Sequence, residues 1–453
     1  VSRTASLLED PIPRLFLRLS PAGILGMLII GLYSLVDGIF VGRIVGPEGL
    51  SAITLCFPLS LLAQGLSALV GIGSASVYSR LLGSGDRDRA RTVFILLCAV
   101  NLVLCAAFAA IVLPLLPHLL GFLGAGGRTL ELATLYGAIV LGGTIFANLM
   151  SSANMLIRAE GHMNTAMAIM AIGAILNTIL DPLLMIVLKW GIGGAAIATV
   201  ASQALSALLS ILYFLRGKGA VKVSLRLDRH SPRLGLEIVS VGLSGLALPL
   251  LTLIQSAIVL KAVEAWGRPE DFPVVGAAMR VLQFIIIPIW GTAQALQPII
   301  GTNYGAGKYS RVRRAWLLFS LFGTAIALVL WLPMVAFPRF ILGFFLADEA
   351  ILERGAAFMR LYMVSFPIYA FMLMTLTLFQ ATGKAVHAAL LILGKFLVLF
   401  APVLLVAVRL WGVNGIFLAT PIADALIAIY GLIVLAIAFP GKGLADKGAA
   451  LAS

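Results

Sequence analysis

Apolar runs follow one another along the whole chain, each closed by a short stretch of charged residues, Gly or Pro. They fall at 15–42, 50–79, 92–117, 129–157, 163–188 and 193–215, then at 235–263, 274–302, 312–338, 351–380, 385–409 and 413–439. Each reaches the ~20 residues that a helix needs to cross a bilayer. The pattern predicts an all-α integral membrane protein with twelve transmembrane helices. The first run starts near Leu15 and continues to about Gly42, well beyond the ~7–15 residues of a secretory leader. It reads as a spanning helix, and the missing initiator Met suggests a trimmed or processed chain.

Composition agrees. Hydrophobic residues make up 61% of the 453 positions and charged residues 11%, against roughly 45–50% and about 25% in soluble domains. A formal charge of +13 could point to nucleic acid, but such a binder gathers its Lys and Arg on one soluble face, and here they sit in short loops. Of the 32 Lys and Arg residues, 21 lie on the side of the termini, 8 on the other and 3 within spans. Cytoplasmic loops carry the excess of positive charge, so both termini should be cytoplasmic. Cys56, Cys98 and Cys105 all fall in apolar runs, where thiols behave as small hydrophobes, and no disulfide framework is indicated.

The chain repeats itself at about half its length. GSGDRDRAR from Gly83 matches GAGKYSRVR from Gly305, and RAEG from Arg158 matches QATG from Gln380, both at an offset of 222; WGIGGAAIAT from Trp190 matches WGVNGIFLAT from Trp411 at 221. An offset of six spans relates two copies of like orientation about an axis along the membrane normal. The chain should therefore divide into an N-lobe over 1–215, a basic cytoplasmic linker over 216–233 and a C-lobe over 234–453, two parallel-repeat six-helix lobes.

Motifs of soluble chemistry fail. GTNYGAGKYS at Gly301 resembles a phosphate loop, but the spacing is wrong and Tyr309 stands where Ser or Thr must follow the Lys. His118, His162, His230 and His387 are scattered without metal-ligand spacing, and no aspartate cluster could hold magnesium and diphosphate. The chain does not read as an enzyme, and it calls for no cofactor.

What remains is intramembrane polarity. An ionisable residue at mid-membrane costs about 2.5–3.5 kcal/mol on insertion scales and is a functional hypothesis by default. Asp37 lies in the first span with Tyr33 one turn earlier; Asp181 lies in the fifth with Asn177 one turn earlier and Pro182 next to it. The proline frees a carbonyl, and together these oxygens make a hard site suited to Na⁺ or to a proton shared between carboxylates. Otherwise, Asp37 caps a bent helix and Asp181 hydrogen-bonds around its proline. The repeat supplies a control: Val259 stands opposite Asp37, and Asp181 maps near Ala401 to Val403. Arg280, Arg360, Lys395 and Asp424 form a second polar set, pairing across helices or facing substrate.

LYSLVDGIFVGRIVGPEGLSA from Leu32, RAEGH from Arg158, NTILDP from Asn177, WGIGGAAIAT from Trp190 and QPIIGTNYGAGKY from Gln297 carry a resemblance to the multidrug and toxic compound extrusion (MATE) family over almost the whole chain. The resemblance implies a V-shaped cavity between lobes that alternates its access, in the bacterial inner (plasma) membrane. It implies secondary active antiport, the export of amphipathic, often cationic drugs or metabolites in exchange for H⁺ or Na⁺. Asp37, Asn177, Asp181 and Thr199 match the N-lobe cation-site pattern of one branch, with Tyr33 beside it, and Na⁺, if bound, would sit at Asp37, Asn177 and Asp181. Other branches use acids in the seventh and tenth spans, where this chain has Gln255 and no internal acid. Met27, Phe57, Phe146, Met150, Gln255, Arg280, Gln283 and Trp290 are the candidate substrate contacts. The expected partners are the bilayer and a small molecule, not nucleic acid, with the chain a monomer. The second reading is a lipid-linked oligosaccharide or lipid flippase of the same architecture, which needs a cavity rich in Arg and Lys to hold diphosphate.

Overall fold

The computed structural model describes residues 3–224, 231–346 and 348–439, and of residues 32–36, 38 and 39 the backbone only. Among these residues regular structure is helical throughout. His230, part of the 216–233 linker and the end of the C-lobe lie outside the described residues, as does the side chain of Tyr33.

The first half contains α1 (Arg3–Glu9), α2 (Ile12–Ile44), α3 (Pro47–Ser84), α4 (Arg87–Phe122), α5 (Gly127–Gly142), α6 (Thr144–Ala159), α7 (Met163–Pro182) and α8 (Gly191–Leu215). The second contains α9 (Ser231–Trp266), α10 (Asp271–Gly305), α11 (Tyr309–Ala336), α12 (Pro338–Leu342), α13 (Glu349–Tyr362), α14 (Phe366–Ala381), α15 (Ala385–Leu393), α16 (Phe400–Trp411) and α17 (Val413–Ala438). Ten helical segments are long and apolar enough to span a membrane, and two bent pairs bring the total to twelve. The short helices α1 and α12 were not expected from the apolar pattern, because neither is long enough to show in it.

The fourth and tenth spans are broken where one helix each was expected. The α5–α6 pair bends by 46° and the α13–α14 pair by 42°. Gly142 and Gly143 occupy the first break, where backbone freedom is greatest. Pro367 lies in the first turn of α14 just after the second, a position where its missing backbone donor is tolerated. The breaks are related by the repeat offset, and so are the turn glycines Gly85 and Gly307, with φ of 78° and 72°, a left-handed conformation that admits glycine at no steric cost.

Helices α2–α8 pack on one another and α9–α17 on one another, and the two bundles meet through α3 with α9 and α2 with α10. The contact is tight at the end carrying the basic loops after α3 and α10. A Cβ at Gly73 would overlap the Ile238 carbonyl, one at Gly242 the Leu69 carbonyl and one at Gly23 the Gly291 carbonyl. Ser76 Oγ donates to the Gln380 carbonyl, Gln380 Nε2 donates to Ser244 Oγ at 3.0 Å, and Arg80 pairs with Glu237 at 2.8 Å. The strap formed by α1 adds to this closure: Asn303 Nδ2 donates to the Leu7 carbonyl at 3.0 Å and Arg311 Nη2 to the Asp10 carbonyl at 2.8 Å.

Away from that end the bundles part. Along α3 and α9, Gly73 faces Ile238, Gly65 faces Leu246, and the same antiparallel register brings Phe57 opposite Ile254. These two are 52% and 47% exposed. The helices that exclude solvent at the basic end therefore border an open cleft at the other.

Candidate functional site

Two acids lie on the N-terminal bundle's side of this cleft. α2 packs along α7, and α7 along α8; Asp37 comes from the first, Asn177 and Asp181 from the second and Thr199 from the third. Asn177 and Asp181 are fully buried and Thr199 nearly so. Asn177 Nδ2 donates to Asp181 Oδ1 at 3.3 Å, a contact predicted by their one-turn spacing. Pro182 ends the regular helix, and a π turn over Leu183–Val187 carries the chain on, as expected where a proline removes a donor.

The decisive feature is what these side chains lack. Asp37 Oδ1, Asn177 Oδ1, Asp181 Oδ2 and Thr199 Oγ1 are buried oxygens with no hydrogen-bond partner among the described residues. A buried polar atom without a partner costs about 1–3 kcal/mol, and these four lie on three helices packed in turn, α2 on α7 and α7 on α8. No Lys or Arg among the described residues is paired with either acid. Two carboxylates, an amide oxygen and a hydroxyl can hold one cation, a proton shared between the acids or a Na⁺ among the oxygens.

The comparisons with known proteins bear on this arrangement. A family model described as MatE matches residues 22–183 and 248–406. The chain belongs to the MatE family. Its two matched stretches fall one in each helical bundle. This MatE chain is 24% identical to the multidrug export protein MepA of Staphylococcus aureus over 94% of both chains. It is 26% identical to the FAD transporter of Shewanella oneidensis over 93% of itself and 94% of that protein. Among solved structures, MATE in the bent conformation superposes with a TM-score of 0.89 at 26% identity, covering 97% of this chain and 98% of that one. An outward-facing multidrug resistance MATE family transporter gives 0.86 at 26%, covering 96% and 98%. The protein is thus a multi-pass membrane transporter, and the family is one of transporters, not enzymes.

The predicted substrate contacts scatter. Phe57, Arg280, Gln283 and Phe146 are exposed, whereas Met27 is engaged by Gln294 Nε2 at 3.0 Å in the closed contact between bundles and Met150 is half-buried. Gln255 Nε2 reaches Thr420 Oγ1 at 3.4 Å inside the C-terminal bundle, and Trp290 hydrogen-bonds Tyr369 there. Both are half-buried, and each has a polar partner on a neighbouring helix of that bundle.

The second polar set does not form one network. Lys395 and Asp424 pair at 2.7 Å, nearly buried, and Ser365 Oγ donates to Asp424 at 2.8 Å. Arg360 is exposed and donates only to the Val335 carbonyl. Arg280 has neither ion pair nor hydrogen bond among the described residues. Lys395 and Asp424 thus pair across helices as expected, while Arg280 and Arg360 lie apart from that pair.

Sequence reasoning missed two polar anchors at the basic end. Arg80 and Glu237 are 157 positions apart, a separation that no local pattern reports. Glu160, completely buried, receives the Tyr78 hydroxyl, the Tyr213 hydroxyl at 2.6 Å and the Ala220 amide at 2.8 Å. It pins the chain after α8 to the N-terminal bundle. Burial pushes its carboxyl above the ordinary value, opposed by those donors.

Proposed function

We propose that this chain is a secondary active antiporter of the plasma membrane, exporting amphipathic drugs or metabolites in exchange for H⁺ or Na⁺ taken up at Asp37 and Asp181. The observation that carries the reading is the set of partnerless buried oxygens on Asp37, Asn177, Asp181 and Thr199. The basic loops mark the cytoplasmic side, so the cleft opens outward, with an N-lobe over 1–215 and a C-lobe over 234–453 as its walls. A cation entering from outside neutralises both acids and removes their repulsion. The second helix of the chain can then draw in against α7, narrowing the cleft on the N-lobe side and driving substrate out.

MepA, to which the chain is similar, is a multidrug export protein, and this supports a drug or metabolite as cargo. The flippase reading needs clustered cations for a diphosphate. Within the spans Lys395 is already paired and Arg360 is bound to a carbonyl, leaving a single arginine on the cleft. Proteoliposomes loaded with a fluorescent cargo and given a pH or a Na⁺ gradient separately provide the test. Efflux should follow one gradient and be indifferent to the other; efflux indifferent to both would defeat the antiport reading.

A further inference from the structure

The face of α10 toward the N-terminal bundle runs through Gly291, Ile287, Phe284 and Arg280, spaced four, three and four residues apart and so on one side of the helix. At its inner end Gly291 meets Gly23 of α2, and a Cβ at Gly31 would come within 3.2 Å of Ile287 Cδ1. Farther out this face is exposed: Phe284 is 48% exposed, and Arg280, about 10 Å beyond Ile287 along the axis, is exposed with Gln283 beside it.

The opposite face of α10 is not free, since Val274, Ala277, Ala278, Val281 and Ile285 are buried in the C-terminal bundle. The adjoining cleft helix α9 shows the same change of character. Gly242 and Gly245 face α3 at the closed end, and Thr252, exposed, and Ser256, half-buried, follow outward on that stripe, their hydroxyls bonded to carbonyls one turn back in α9. A guanidinium and an amide side by side on α10 would be disfavoured against lipid tails but fit a water-filled cleft.

Of the three cations counted within the spans, Arg280, Arg360 and Lys395, only Arg280 has no partner atom among the described residues. Lys395 is neutralised by Asp424, Arg360 donates to the Val335 carbonyl, and Asp37 and Asp181 form no ion pair with Arg280. A fixed, always-charged fork of donors matches the planar geometry of a carboxylate or phosphate.

We propose that Arg280, assisted by Gln283, is the docking point for an oxyanion on the transported molecule, so that the preferred cargo is an amphipathic carboxylate or phosphate ester rather than an organic cation. The proposal rests on the export reading for its cleft, but its test reads no gradient. The apolar part of such a cargo lies against Phe284 and Phe57. The anion replaces the water that otherwise solvates the guanidinium, and the buried acids of the N-terminal bundle remain free for the coupling ion.

The test measures binding to the purified chain in phosphatidylcholine nanodiscs, using 2-naphthoate, 2-naphthyl phosphate and 2-naphthyl-trimethylammonium as three probes of one ring system. The wild type should bind at least one anion about ten times more tightly than the cation, and Arg280→Gln should weaken that anion about ten- to hundredfold while leaving the cation unchanged. Arg280→Lys should restore part of the loss, and Arg280→Glu should reverse the preference. Tighter cation binding by the wild type, or anion binding untouched by Arg280→Gln, overturns the proposal. So does complete displacement of both anions when phosphatidylglycerol is added to the discs, which would make Arg280 a headgroup contact. Gradient-driven efflux by the same variants separates the two readings: loss of coupling in Asp181→Asn together with unchanged anion binding in Arg280→Gln defeats this inference alone.

Discussion

The two halves of the molecule bury carboxylates in opposite ways. In the C-terminal bundle Asp424 has its counter-charge built in, with Lys395 at 2.7 Å and the Ser365 hydroxyl at 2.8 Å. In the N-terminal bundle Asp37 and Asp181 have no protein cation, and an oxygen of each is left without a partner. A covalently tethered ammonium cannot be exchanged across a membrane, whereas an acid lacking one is open to an ion from either side. The same repeated scaffold thus yields one bundle whose buried acid carries a built-in counter-charge and another whose buried acids carry none among the described residues. The repeat makes the contrast sharp, because aliphatic Val259, buried in the C-terminal bundle, occupies the position related to Asp37.

The largest expected effect comes from neutralising an acid of the N-terminal bundle. Asp37→Asn should lower gradient-driven efflux from proteoliposomes about a hundredfold with little change in thermal unfolding, since the amide mimics the neutral acid. Gln255→Ala should leave the ion dependence of efflux where it was, because Gln255 engages Thr420 in the other bundle. An altered ion dependence in that variant would extend coupling into the C-terminal bundle.

Breaking the built-in pair should show the reverse profile. Lys395→Met strands a buried carboxylate and should cost about 3–5 kcal/mol of stability, read as a fall in the unfolding temperature and in the yield of folded protein. Lys395→Met combined with Asp424→Leu should recover most of that loss, because replacing both partners leaves no charge unpaired. If the double variant is as unstable as the single one, the pair is not the simple neutral unit described here.

Much of this was legible in the sequence, and the failures have physical causes. The apolar runs gave twelve spans because lipid demands ~20 apolar residues per crossing, and matched turn motifs revealed the repeat because left-handed turns need particular residues. Asp37 and Asp181 stood out because charge in an apolar run is rare. Spans four and ten read as single helices, since hydropathy is blind to a bend. Met27, Trp290 and Gln255 could not be assigned to cleft or interior from composition, because that depends on how far the bundles have parted. The grouping of Arg280 and Arg360 with Lys395 and Asp424 failed likewise, as proximity in the sequence half says nothing of helix face.

Smaller effects sharpen the contrast between the closed and open ends. Arg80→Gln removes the cross-bundle ion pair with Glu237. For a pair this accessible the loss should be about 1 kcal/mol or less, a shift of up to about fivefold toward a parted basic end. Spin labels at Asp88 and Arg313 would register it as a longer-distance population; an unchanged distribution would leave glycine packing as the sole closure. Smaller still is Glu160→Gln. Burial raises the Glu160 carboxyl, so its neutral form favours the fold. That contribution is present below the ordinary Glu value and is lost as pH rises through the raised one. The variant should therefore gain on the wild type by about 1 kcal/mol or less as pH is raised, seen as a smaller drop in unfolding temperature; an identical pH dependence would contradict it.

Whether the N-terminal bundle alone holds the proposed exchangeable cation is decided by comparing Asp181→Asn with the wild type in proteoliposomes under imposed pH and Na⁺ gradients, with cargo binding measured on the same preparations. The account predicts that the variant folds, binds cargo as the wild type does and transports it no faster with a gradient than without. Full gradient-driven efflux by Asp181→Asn would contradict it.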